Sequence, residues 1–115
     1  MTVKELANRL RAQSLSAGDD TREITGAWMG DLISLALAYG FSGMAWITHQ
    51  ANMNALAAAH WKQAACVIFP AGITPEREVI QQAEKEGIPL LSVTVSAFDA
   101  AGEMYRMGVF GKNGT

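Results

Sequence analysis

The chain is short of cysteine, of charge and of nucleotide-binding glycine motifs, and each scarcity excludes something. Cys66 is the only cysteine in 115 residues, so neither an intrachain disulfide nor a thiolate metal cluster is available. It lies in the apolar run Ala64-Ala65-Cys66-Val67-Ile68-Phe69, where a thiol behaves as an inert core group. Charged residues make up 17% of the chain against 50% hydrophobic, which argues against disorder and leaves a modest solvated surface. Either much of the chain is sandwiched between layers or a partner covers some apolar surface, a homodimer being the simplest case. There are 9 basic and 11 acidic side chains, for a net charge of −2, and no run of Lys or Arg supplies the stripe that phosphate-backbone binding requires. Nucleic acid is therefore not an expected partner. No apolar segment approaches the roughly 20 residues needed to span a bilayer. Met1-Thr2-Val3-Lys4-Glu5 opens into an amphipathic pattern in place of a signal peptide. The expected compartment is the cytoplasm.

Gly-x-x-x-x-Gly-Lys-Ser/Thr is absent, and Gly108-Val109-Phe110-Gly111-Lys112-Asn113 has the wrong spacing. Gly-x-Gly-x-x-Gly is absent too. The six methionines are scattered and read as core packing. No cofactor is expected.

What is present is a regular alternation. Thr2 and Glu5 form a capping-box pattern, and Val3, Leu6, Ala7 and Leu10 then give one apolar helical face. A polar stretch with Ser16, Gly18, Asp19 and Asp20 reads as a loop. Ile24 to Met29 reads as a short strand ending at Gly30-Asp31. Leu32 to Ala38 is apolar almost all round, as expected of a buried helix, with Gly40 as its stop. Met44 to Thr48 is the next strand, and Asn52 or Asn54 starts a helix running to about Lys62. Cys66 to Phe69 is the third strand. Thr74-Pro75 reads as an N-cap followed by proline at the first helical position, on a helix that turns Val79, Ile80 and Ala83 inward and stops at Gly87. Leu90 to Val95 is the last strand. Ser96 and Asp99 cap a final helix with Phe98, Ala101, Met104 and Tyr105 on one face.

Apolar strands alternating with helices predict βαβ units, a mostly parallel sheet and helices on its faces: an α/β three-layer sandwich. A single domain is expected over residues 1–108, with 109–115 a flexible C-terminal tail.

In open parallel sheets, ligands collect beyond the carboxyl ends of strands, near helix N-termini. The candidate ligand-binding residues at those positions are Gly30 and Asp31; Thr48, His49, Asn52 and Asn54, with Gln50 between them; Gly72 and Thr74; and Ser96, with Thr94 just before it. Free backbone N–H groups at those helix starts suit a carboxylate or phosphate. Taken singly, Asn52, Thr74 and Ser96 also read as plain caps. Asp31 reads either as a structural cap favoured by the helix dipole or as an oriented polar group at a site. His49 lacks the Cys, Asp or Glu neighbours of a metal site. As a general base it lacks a marked nucleophile. Ser34, inside the apolar helix, reads as packing or bonding backward along the backbone.

Several stretches together resemble the DRTGG domain: Arg22-Glu23-Ile24-Thr25-Gly26-Ala27, Gly30-Asp31-Leu32-Ile33-Ser34, Trp46-Ile47-Thr48 leading to Asn54-Ala55-Leu56-Ala57, Glu86-Gly87-Ile88-Pro89-Leu90-Leu91-Ser92, and Phe98-Asp99-Ala100-Ala101-Gly102 with Tyr105. The resemblance spans about residues 2–108. It departs from the family pattern at Asp20-Thr21-Arg22, at Gly26-Ala27, at Asn52, at His49 and at Ala71-Gly72. It implies a fold like the N-terminal domain of HPr kinase/phosphorylase, separate from the catalytic kinase domain. Such domains also occur attached to phosphate acetyltransferases and CBS-domain proteins, in regulatory or oligomerising roles. Kinase activity is not expected.

The function expected is thus a non-catalytic regulatory module that binds a small anionic metabolite, dimerises, or does both. One alternative is an accessory partner protein of a redox, hydrogenase or signalling complex. Another is a small enzyme using His49 and Asp31, which requires those residues to lie within hydrogen-bond reach and a third polar group to converge on them.

Overall fold

The apolar runs become strands covered on both faces. In a computed structural model, described over residues 1–112, helix α1 (Val3–Leu10) leads to a short β1 (Gln13–Ser14) and then to β2 (Gly26–Met29). There follow α2 (Ile33–Tyr39), β3 (Met44–Ile47), α3 (Met53–Trp61), β4 (Cys66–Phe69), α4 (Arg77–Glu86), β5 (Leu90–Ser92) and α5 (Ala97–Arg106). The sheet has five strands in the order β1-β5-β4-β3-β2. Strands β2 to β5 are parallel, and β1 runs antiparallel along β5.

Side chains alternate across the sheet, as the two-residue period of a strand requires. Met44, Trp46, Val67, Phe69 and Leu90 point into one core, against Ala36 of α2, Ala55, Leu56, Ala58 and Ala59 of α3, and Val79 and Ala83 of α4. Ala45, Ile47, Cys66, Ile68 and Leu91 point into the other, against Val3 and Leu6 of α1 and Ala100 and Met104 of α5. The architecture is therefore the expected α/β three-layer sandwich. Cys66 is fully buried, and that burial pushes its thiol up to about 12.

Local signals explain most helix ends. Thr2 and Glu5 make the reciprocal capping box on α1. Asn52 accepts from the Ala55 N–H at the start of α3, and Ser96 accepts from the Asp99 N–H at the start of α5. Gly87 ends α4 in the left-handed conformation, with φ 72°, which glycine adopts without steric cost.

Other expectations are corrected. Thr74 is exposed and does not cap α4; the N-cap position is Glu76, without a side-chain cap, and Pro75 precedes it. The last strand stops at Ser92. Helix α2 is not buried all round: among its residues only Ala36 is buried, because the helix lies at the margin of its layer. On α5 the packed residues are Ala100 and Met104, while Phe98 and Tyr105 face outward. In the polar stretch, Ser16 is buried; its hydroxyl donates to the Ile88 carbonyl and accepts from the Leu90 N–H, both at 2.8 Å. Strand β1 was not anticipated, since its Gln-Ser pair has no apolar side chain. Of the residues assigned to a tail, Val109 is buried and the Phe110 carbonyl accepts from the Ala27 N–H at 2.8 Å; residues 113–115 lie outside the described residues.

Arg22 ties the amino end of the sheet together. Its guanidinium donates to the Gln63 carbonyl at 2.6 Å, the Ala64 carbonyl at 3.3 Å and the Ser42 hydroxyl at 3.2 Å. Gln63 has a left-handed backbone, φ 56°, so these bonds hold the turn from α3 into β4. Hydrogen bonds to a charged group contribute more than neutral ones, so Arg22→Ala should cost about 1.5–3 kcal/mol. Urea unfolding of the variant against wild type measures this; an unchanged midpoint would show that the turn holds itself.

Candidate functional site

The parallel strands end at Met29, Ile47, Phe69 and Ser92, so the loops that follow them share one end of the sheet. Met29 of β2 pairs with Ile47 of β3, which brings Gly30-Asp31 alongside Thr48-His49. Gly30 is held on both sides: its N–H donates to the Ile47 carbonyl at 3.1 Å, and its carbonyl accepts from the Trp46 indole at 3.0 Å. A Cβ at residue 30 would lie 2.8 Å from the Trp28 ring, so any larger residue there must displace that ring.

Asp31 does not cap α2. The N-cap position is Leu32, with no side-chain hydrogen bond, and the carboxylate instead reaches across to the β3 loop. It accepts from the Thr48 hydroxyl at 3.0 Å and from the His49 N–H at 2.7 Å. His49 Nδ1 lies 3.0 Å from Oδ2 and 3.3 Å from Oδ1. Thr48 is buried, and its hydroxyl, while donating to Asp31, accepts from the Gln50 N–H at 3.1 Å. Gln50 in turn accepts from the Asn52 amide at 2.8 Å. Four of the expected residues, Asp31, Thr48, His49 and Asn52, are therefore connected by hydrogen bonds through Gln50, with Gly30 adjoining Asp31 in the chain.

Burial alone would raise the Asp31 carboxyl, but hydrogen bonds from the His49 backbone, the Thr48 hydroxyl and the His49 ring outweigh it and hold the group below the usual carboxylate range. An ionised Asp31 can only accept, so His49 places a proton on Nδ1 and turns Nε2 outward. The result is an oriented, half-exposed imidazole three residues before Asn52, the cap of α3. Thr48 gives its proton to Asp31 and is no nucleophile for His49.

The other expected residues make their contacts elsewhere. The Ala71 N–H donates to the Val95 carbonyl at 2.7 Å and the Gly72 N–H to the Val93 carbonyl at 2.8 Å. The donor assigned to Gly72 is thus occupied, because the loops after β4 and β5 bind each other. Thr74 lies beyond that tie and is exposed. Ser96 is engaged as the α5 cap at 3.1 Å. Asn54 lines an apolar groove between α2 and α3.

Sequence reasoning missed a cleft of about 540 Å³ at the opposite, amino end of the strands, lined by Asp19, Arg22, His60, Trp61 and Glu86 among others. There Glu86 Oε2 is buried without a hydrogen-bond partner, 3.6 Å from His60 Nδ1. These residues come from separate segments and form no motif. Among the described residues, no group of three or more His, Cys, Asp or Glu is placed to hold a metal ion, and no helix is long and apolar enough to cross a membrane.

A mostly parallel sheet with helices on both faces defines the class of domain. No family model matches the chain, and no curated protein matches it. Among solved structures, it is similar to the crystal structure of the CBS and DRTGG domains from the regulatory region of Clostridium perfringens pyrophosphatase, complexed with the activator diadenosine tetraphosphate. The TM-score is 0.73 at 13% sequence identity, over 97% of this chain and 48% of that one. The chain thus spans about half the length of that structure and shares its fold.

The lowered Asp31 carboxyl sets the sign of an acid dependence. Its contribution to stability is complete above the ordinary value of 3.8 and is lost as the pH falls through the lower folded value. Because the pair is half exposed, solvent screening limits that contribution to about 1 kcal/mol. Asp31→Asn should be less stable than wild type by about that amount at neutral pH, and the two should converge as the pH falls from 3.8 through the lowered folded value. Unfolding midpoints across that range check it; a gap that persists in acid would locate the effect in packing.

Proposed function

We propose that the chain is a non-catalytic regulatory module of the DRTGG type that binds a small anionic ligand beside His49 and works as a cytoplasmic homodimer. The observation that carries this reading is the fold shared over nearly the whole chain with a regulatory region whose activator is a dinucleoside polyphosphate. The site supports it. Asp31 orients His49, and a protonated His49 would present an Nε2–H donor to an anion, with the Gln50 and Asn52 amides close by. The same arrangement disfavours turnover: Asp31 and His49 do meet, but the third polar group, Thr48, faces Asp31 in place of the outward imidazole nitrogen.

A thermal-shift screen tests the reading, with diadenosine tetraphosphate, inorganic phosphate, acyl phosphates and small carboxylates as probes. A ligand at about 100 times its dissociation constant should add about 2.7 kcal/mol, a shift of roughly 10 °C for a domain this size. The shift should vanish in His49→Ala and shrink in Asn52→Ala. A shift that survives both variants would move the site elsewhere, and no shift with any probe would remove the ligand from the account.

A further inference from the structure

Charge is distributed unevenly along this chain. All 9 basic and 11 acidic side chains lie at or before Asp31 or at or after Lys62, and none lies between. The uncharged stretch builds α2, β3 and α3. Strand β3 is buried, but the outer surfaces of the two helices are not. Leu32, Leu35, Leu37 and Tyr39 are 41–64% exposed, Met53 is 44% exposed and Trp61 is 79% exposed. Between the helices runs a groove of about 460 Å³, lined by Ile33, Leu37, Asn54, Ala57, Ala58 and Trp61. The neighbouring helix of the same layer, α4, turns Arg77, Glu78, Glu84 and Lys85 to solvent, as an ordinary solvated helix does. The absence of charge is therefore local to α2 and α3.

We infer that the α2–α3 face docks a second copy of this chain, groove to groove across a two-fold axis. The inference rests on the self-association proposed above and names its surface. A face without formal charge is complementary to itself, since no like charges meet across the axis. A partner selected by charge would find no counter-charge here. Leu37 and Trp61, 42% and 79% exposed, line the groove and present apolar surface from both helices to a second copy. Aromatic residues and methionine with charge excluded is also the composition of an interface centre.

Sedimentation velocity of the full chain, from about 1 µM to 1 mM, reads the oligomeric state over the range in which a micromolar dimer dissociates. Wild type should dimerise. Leu37→Glu and Trp61→Glu, both at exposed positions, should each weaken the dimer by at least about 30-fold while keeping wild-type circular dichroism and cooperative unfolding. Phe98→Glu, on α5 in the opposite layer, should leave it intact. A wild-type monomer at every concentration would overturn the self-association reading itself. A dimer that tolerates Leu37→Glu and Trp61→Glu, or that only Phe98→Glu breaks, would overturn the α2–α3 assignment and leave self-association standing.

Discussion

The arrangement of the molecule depends on the handedness of its parallel connections. From β2 to β5 every crossover moves one place along the sheet in the same direction. Right-handed crossovers taken in one direction put their helices on one face, so α2, α3 and α4 form a single layer. The other face would lie open if the ends of the fold did not supply α1 and α5. The connection after β5 therefore crosses to the far side, and α4 and α5 leave neighbouring strands toward opposite faces. Such a divergence usually opens a ligand crevice. Here the loops close it by donating the Ala71 and Gly72 N–H groups to the Val95 and Val93 carbonyls. The polar groups left available are at the other side of the sheet, where β2 and β3 end.

That displacement shows which parts of the structure were legible in the sequence. Cys66 to Phe69 and Met44 to Ile47 could be read because a strand buried on both faces must be apolar throughout. Thr2, Asn52, Ser96 and Gly87 could be read because capping depends on neighbours only a few residues away. The failures are non-local. An all-apolar helix predicts burial, but α2 lies at the margin of its layer and keeps Leu32, Leu35 and Leu37 in solvent. The faces of α5 depend on its seat beside α1, so Phe98 could not be told from Ala100. Thr74 had the chemistry of a cap but not the position, since α4 begins at Arg77 with Glu76 as its N-cap.

The candidate site divides in the same way. That Asp31 and His49 meet follows from the parallel register of adjacent strands β2 and β3, which the alternation of strands and helices left open. That Asp31 serves His49 and not α2 does not follow, because it depends on where the helix begins. The cleft lined by Arg22, His60 and Glu86 was illegible, its side chains being far apart in the chain. Asp31 immediately precedes Leu32, the N-cap residue of α2. A ligand that moved the Asp31–His49 pair would thus act at the start of the helix assigned to the dimer face, which suits a module that reports binding through association.

The central claim is that the Asp31–Thr48–His49 set receives a ligand. Amide NMR of the full chain, titrated with diadenosine tetraphosphate and separately with inorganic phosphate, tests it directly. The account predicts saturable shifts centred on Asp31 and on Thr48 to Asn52. Shifts confined to residues around the Arg22–Glu86 cleft, or none with either probe, would contradict it.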